Sequence, residues 1–380
     1  MDFELSEEQR MVIAEARRFA ERSLAPAVAA LDEKQECNLA AIRELGGLGF
    51  LGMTVPEESG GSALGAVAYA GAMVELSKVD AGTAVAVSVQ NSLVNEAVMT
   101  FGTEAQQREY LPKLASGEWL GCFSLTEAGA GSDPGSLRAS AVRDGESFVL
   151  NGTKNFTTNG EFADVILAFF QTDPGRGSQG ISAFLVHSDT PGVAVGRHEN
   201  KLGIRTSSTT EMVFTDCRVP ASCLLGTENK GLHLALVMLD GGRIGIAAQA
   251  IGIAEAALEE AVKYAKERTQ FGRRLADFQA LQFMLADMAV DVEVAKTMLY
   301  RVAAMKDAHR KHTRESAILK LFASEMSHRV CHKALQIHGG YGYTKDYKIE
   351  RLYRDQRITE IYEGTSEIQR LVIARALLAD

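Results

Sequence analysis

The chain has 380 residues, 46% of them hydrophobic and 23% charged, a composition that supplies large cores and excludes a disordered or fibrous protein. Its length suits two or three domains. A formal charge of −9, from 40 Lys plus Arg against 49 Asp plus Glu, argues against general nucleic-acid binding, which requires a basic surface.

The opening MDFELSEEQRMVIAEARRFA is acidic and then helical. It has neither the basic, apolar pattern of a signal peptide nor a transit-peptide composition, so a cytoplasmic protein is expected. Ser6 followed by Gln9 resembles a capping box, and Met11, Ile13 and Phe19 recur at helical spacing. FLGMTVPEESGGSALG, residues 50–65, is a loop by its Gly and Pro content. The Ala-rich stretch that follows predicts two buried helices, completing an N-terminal helical domain over 1–118. From 119 the grammar changes. LGCFSL, SFVLNGTKNFTTNG, ADVILAFFQTD, GISAFLVH, GVAVGRH and TTEMVFTDCRVP are short β-branched and aromatic runs bounded by turn residues, the mark of a small β-sandwich or barrel over 119–227. From 228 the helical period returns. Three long amphipathic segments and a fourth from RLVIARALLA predict a C-terminal four-helix bundle over 228–380. No run of apolar residues is expected to reach membrane-spanning length.

Ser366 and Gln369 read as a second capping box, which starts the last helix near 366. Gly364 would end the segment before it, leaving Glu363 in a short turn between rigid elements. The five cysteines, Cys37, Cys122, Cys217, Cys223 and Cys331, include no C-x-x-C pair and fit a reducing compartment. His328 and His332 flank Cys331 on a predicted helix, but no Glu follows His328 and no third ligand cluster is evident, so no metal site is assigned.

Three further segments could carry chemistry. SLTEAGAGSDPGSL, residues 124–137, is a Gly-rich loop after a strand. It is not a dinucleotide fingerprint, because Pro134 occupies the final glycine position and no helix follows. It could be a plain turn, or bind phosphate or a flat ring through backbone N–H groups. QIHGGYGYTKD, residues 336–346, could be a helix stop at Gly339 or a close approach of backbone to ligand. KERTQFGRRLADFQ, residues 266–279, could be a solvated basic turn or an anion clamp.

Taken together, CFSLTEAGAGSDPGS, LDGGRIGIAAQAIGIAEAAL, ERTQFGRRLADFQ and QIHGGYGYTKDYKIERLYRDQRITEIYEGTSEIQR resemble the acyl-CoA dehydrogenase family, in its short-chain or butyryl-CoA branch. The resemblance covers nearly the whole chain. It implies a helical, β, helical fold, FAD as cofactor, and oxidation of the Cα–Cβ bond of an acyl-CoA thioester to the trans-2-enoyl-CoA. Glu363 matches the base that removes the α-proton while hydride leaves Cβ for flavin N5. Some relatives carry the base immediately before the arginine that here is Arg243. That position is Gly242, which favours Glu363 and argues against the isovaleryl and long-chain branches.

By the same match Phe123, Leu125, Thr126, Gly131 and Ser132 would line the flavin, Ser132 also touching substrate. Phe156, Thr157 and Thr158 would do so where the family usually shows Trp-Ile-Thr, a departure at the electron-transfer surface. Arg268, Phe271, Gln279, Gln336, Gly339 and Gly340 would reach the FAD of a neighbouring subunit. Thr365, Ser366 and Glu367 would add contacts at a helix start. Asp240, Arg243, Tyr362 and Gly364 would contact acyl-CoA. A homotetramer and an electron-transfer flavoprotein as electron acceptor are implied. A branched-chain or glutaryl-type dehydrogenase and a non-catalytic acyl-CoA-binding scaffold are the alternatives.

Overall fold

The structure, a computed structural model, describes residues 4–379. Among the described residues up to 116 lie α1 (Glu7–Phe19), α2 (Val28–Lys34), α3 (Leu39–Gly47), α4 (Gly65–Ser77), α5 (Ala81–Ser88), α6 (Glu96–Phe101) and α7 (Glu104–Ser116). The first capping box is present. The Gln9 N–H donates to Ser6 Oγ at 3.1 Å, and the Ser6 N–H donates to Gln9 Oε1 at 2.9 Å. The two Ala-rich helices are α4 and α5, and every residue of α5 is buried. Asp80 caps α5 by accepting from the Gly82 and Thr83 N–H groups.

The middle of the chain holds β1 (Gly121–Ser124), β2 (Ser140–Asp144), β3 (Ser147–Thr158), β4 (Val165–Gln171), β5 (Ile181–His187), β6 (Val193–His198), β7 (Thr209–Pro220) and β8 (Leu224–Leu225). The sheet order is β6-β7-β3-β2-β4-β5-β8, with β1 parallel to β4. Where β2 meets β4 only the pair Ser140 and Gln171 is joined, so the sheet bends into two halves. These face each other across Phe148, Leu150, Phe170, Phe184 and Phe214. The opposite side of β4 and β5, through Val165, Leu167, Phe169 and Leu185, packs on Val94, Val98 and Leu114. Strand β4 is therefore covered on both faces, which explains its unbroken apolar run VILAFF.

The C-terminal part comprises α8 (Gly231–Glu267), a hairpin of β9 (Thr269–Gln270) and β10 (Arg273–Arg274), α9 (Gln279–Asp307), α10 (Thr313–His338), α11 (Ile349–Gln356) and α12 (Ser366–Leu378). Helix α8 corrects one expectation, because it is long and apolar enough to cross a membrane. Most of its apolar stretch is instead buried in this fold, with Ile244, Ile251 and Ala254 in one core with Met73, Leu299 and Met326. The start of α12 also differs from expectation. Its cap is Thr365, whose Oγ1 accepts the Ile368 N–H at 3.3 Å. Ser366 is the first helical residue, and Gln369 turns its amide back to the preceding turn rather than to a cap.

Charged and backbone contacts dock the middle strands on the helices. Arg354 binds Asp32 at 2.7 Å and Glu350 at 2.7 Å, and the Ile204 N–H donates to Asp355 at 2.6 Å. A Cβ at Gly203 would overlap the Arg354 carbonyl oxygen. These contacts tie α11 to α2 and to the loop between β6 and β7.

Candidate active site

A helical turn over Arg357–Glu360 delivers the chain to that segment. Glu363 has φ +52° and Gly364 has φ +88°. A glycine tolerates the left-handed region freely, whereas a glutamate there is uncommon and must be held by its surroundings. Two fully buried side chains hold it. Gln369 Nε2 donates to the Glu363 carbonyl at 3.1 Å and to the Gly364 carbonyl at 2.9 Å, and Lys320 Nζ donates to the Gly364 carbonyl at 2.7 Å. On the other side the Tyr362 hydroxyl donates to Gln249 Oε1, and Gln249 Nε2 donates to the Ala81 carbonyl at 2.7 Å.

The turn lays the Glu363 carboxylate against α8. Its Oε2 is enclosed and has no hydrogen-bond partner. A Cβ at Gly242 would stand 2.9 Å from that oxygen and 3.2 Å from Leu93 Cδ2, so a side chain here would displace the carboxylate. Next along α8, buried Arg243 binds Asp240, whose other oxygen accepts from Thr313 Oγ1 at 2.5 Å. Arg243 Nε, like Glu363 Oε2, is enclosed without a partner. Burial pushes the Glu363 carboxyl up to about 7, against the opposing pull of Lys320 and Arg243. A buried polar atom without a partner is costly, and an enclosed carboxylate with raised proton affinity is the form a general base takes. The Gly242→Ala protein is therefore expected to keep its fold and lose about 10–100-fold in turnover, because small misplacements of reacting groups have effects of that size. Steady-state kinetics beside a thermal melt checks this.

Asp240, Arg243, Tyr362, Glu363 and Gly364 are thus gathered as the sequence suggested. Thr365, Ser366 and Glu367 follow directly at the start of α12, where Ser366 Oγ is enclosed and unpartnered. In the Gly-rich loop, Glu127 acts as an internal brace. Its carboxylate accepts from the Arg138 N–H at 2.7 Å, the Ala139 N–H at 2.9 Å and Lys154 Nζ at 2.7 Å. This leaves Gly131 and Ser132 exposed, and a Cβ at Gly131 would meet nothing within 4 Å. Phe123, half-buried, packs on Phe169 at 5.0 Å between ring centroids, and the Thr126 carbonyl accepts from the Asn155 N–H at 2.8 Å. Leu125 lies in the core, and Thr157 is enclosed with its hydroxyl on Ser124 at 2.9 Å. Only their backbones remain for the contacts expected there. The register of β3 on β7 shifts between Lys154 and Thr157, and Phe156, at φ +55°, is 62% exposed.

The third group lies apart. Arg268, Gly339 and Gly340 line a groove of about 500 Å³ with Tyr264, His338 and Tyr341. Arg268 sits 5.4 Å from the Tyr341 ring centre. Gln279 and Gln336 are exposed. Phe271 and Gly272, with φ +53° and +75°, form the two-residue turn between β9 and β10, the hairpin geometry that such a pair favours. The Phe271 ring is 94% exposed.

Sequence reasoning missed Lys320, Gln249, Gln369 as a clamp, and the Glu127–Lys154 pair. A lysine inside AILKLFAS, between the apolar residues of a helix, was the available signal for the first.

Comparisons with known proteins bear on the family and the fold. Family models for the N-terminal, middle and C-terminal domains of acyl-CoA dehydrogenases match residues 6–118, 122–217 and 229–378. The mitochondrial short-chain specific acyl-CoA dehydrogenase of Mus musculus is 48% identical over 375 residues, 99% of this chain and 91% of that protein. The butyryl-CoA dehydrogenase of Megasphaera elsdenii is 44% identical with a TM-score of 0.99, each chain fully covered. A chain in a solved structure of the electron transferring flavoprotein of Acidaminococcus fermentans is 47% identical, also with a TM-score of 0.99 and full coverage of both.

Proposed function

The chain belongs to the acyl-CoA dehydrogenase family, and from that premise we propose that it oxidises short-chain acyl-CoA thioesters to trans-2-enoyl-CoA with Glu363 as the base. The observation that carries the reading is the enclosed, unpartnered Glu363 carboxylate held on a clamped turn against Gly242. It removes the pro-enol proton from the carbon next to the thioester carbonyl, and the Glu363 backbone N–H supports the carbonyl oxygen as negative charge grows there. FAD, when bound, supplies the hydride acceptor for Cβ.

The residues fit that cofactor. The unpartnered Ser366 Oγ at the N-terminal end of α12 suits an anionic group. The open flanks of Gly129 and Gly131 admit a flat ring close to backbone, and Arg268 with Gly339 and Gly340 offers a cradle for a pyrophosphate. Arg268→Ala is expected to lower bound FAD per chain after gel filtration, with the fold kept. Unchanged flavin content would remove this residue from the site.

The remaining features are proposals of the same reading. The chain divides near 118 and 227, in keeping with the family matches. It works as a homotetramer, a dimer of dimers, which would cover the exposed Phe271, Phe283, Val290, Leu377 and Leu378. It passes electrons to an electron-transfer flavoprotein, as the likeness to a chain from such a structure suggests. It resides in the cytoplasm, in keeping with five cysteines that form no disulfide. The test of function is anaerobic bleaching of the yellow protein by C4, C6, C8 and branched C5 acyl-CoA thioesters. Fastest bleaching by C4 is expected. Bleaching only by the branched C5 thioester would replace the substrate class, and binding without bleaching would make the protein a scaffold.

A further inference from the structure

Lys320 lies in the middle of α10, fully buried among Ala317, Leu319, Ala323 and Ser324. An ammonium carries three donors and is costly to bury without compensation. Among the described residues its one hydrogen bond runs to the Gly364 carbonyl, 2.7 Å away. That carbonyl belongs to the residue after the base, in the turn whose left-handed backbone must be held from outside. Four charged groups from four directions face the ammonium: Glu363 on the turn, Arg243 on α8, Glu360 on the preceding helical turn and Glu367 on α12. The Glu363 carboxylate is faced in return by Lys320 and Arg243, and it lies near Tyr69 of α4 and its neighbour Tyr362. A methionine would fill the same space and pack as well, so neither core volume nor helix propensity explains a lysine here.

We propose that Lys320 is a positioning residue for the reaction, pinning the Gly364 carbonyl to fix the turn and setting a positive charge at the turn that favours the anionic form of the Glu363 carboxylate. The inference rests on the reading of Glu363 as base. It assigns Lys320 two separable effects, a clamp on geometry and a field on the proton equilibrium. Arg243 also faces the carboxylate, but its guanidinium is paired with Asp240, whereas the Lys320 ammonium is bound to the turn itself. Burial lowers the Lys320 ammonium to about 7 while Glu363 pulls it back up, so the two groups are electrostatically linked.

The experiment titrates Glu363 itself in the flavin-loaded protein. Its carboxyl band in infrared difference spectra is assigned by its loss in Glu363→Gln, and its midpoint is followed in three variants. Lys320→Arg keeps the charge and should keep the midpoint. Lys320→Gln keeps a donor for the Gly364 carbonyl without the charge. It should raise the midpoint by about one pH unit or more, the size of shift that loss of a nearby opposite charge produces, and turnover should recover at alkaline pH. Lys320→Met removes both effects and should show the raised midpoint with turnover depressed at every pH. An unchanged midpoint in the Gln and Met variants would overturn the field, and full turnover in Lys320→Met would overturn the clamp. Unfolding of Arg and Gln variants alike would make Lys320 a purely structural residue. If the base reading itself is wrong, Glu363→Gln will retain turnover whatever the Lys320 variants do.

Discussion

Glu363→Gln is expected to lose about 10²–10⁴-fold in turnover, the range a positioned general base contributes, while retaining FAD and binding butyryl-CoA. Glutamine preserves the volume of the side chain, so the close fit against Gly242 and Leu93 survives. The clamps on the turn survive too, because Lys320 and Gln369 bind backbone carbonyls rather than the carboxylate. Only the ability to accept a proton is removed. The same carboxylate sets the acid side of the pH profile. Burial raises it to about 7, so it holds a proton below that pH and accepts one above it. Activity of the unaltered enzyme should therefore rise with pH through about 7, and the residual activity of the glutamine variant should lack that limb. Stopped-flow flavin reduction under argon across the pH range reads both effects. Near-normal reduction in Glu363→Gln would remove the residue from the chemistry.

The second large effect concerns stability. Lys154 is fully buried and Glu127 is its counter-charge at 2.7 Å. Burial alone would raise the Glu127 carboxyl, yet Lys154 and the Arg138 and Ala139 N–H groups hold it below its ordinary value. Glu127→Leu leaves an uncompensated ammonium in the sheet and two backbone donors unsatisfied, for an expected loss of about 3–5 kcal/mol. Because Glu127 braces the loop that precedes Ser132, flavin content should fall with stability. Adding Lys154→Met to the same protein should recover much of the loss, since a pair exchanged for apolar residues costs far less than a pair broken. Urea denaturation of the two variants decides the matter, and a Glu127→Leu protein within 1 kcal/mol of the parent would show that the pair contributes nothing of this kind.

The helical, β, helical order was legible because each part writes its own period: spacing of three and four in α1 and α8–α10, short turn-bounded runs in β3–β7. The position of Glu363 was legible because Gly364 and the polar residues after it announce a helix break. What the sequence hid were contacts between distant segments. Lys320 and Gly364 are 44 residues apart, and Tyr362 and Gln249 are 113 apart. No local pattern encodes such pairs. The misplaced cap has a local cause: Thr365 and Ser366 are both good N-caps, and the choice falls to Thr365 because Gln369 is drawn to the carbonyls of the turn. The apolar stretch of α8 does not decide its surroundings either, since a helix enclosed by protein and a helix enclosed by lipid have the same apolar composition.

Proton removal can be observed apart from oxidation. Holoenzyme whose flavin has been fully reduced cannot accept hydride, so butyryl-CoA incubated with it in D₂O reports only on exchange at the carbon beside the thioester, read by mass spectrometry. Steady deuterium uptake at that carbon is expected of the unaltered protein, with uptake slowed by about two orders of magnitude or more, the share of a general base, in Glu363→Gln. Equal uptake by the two proteins would contradict that role.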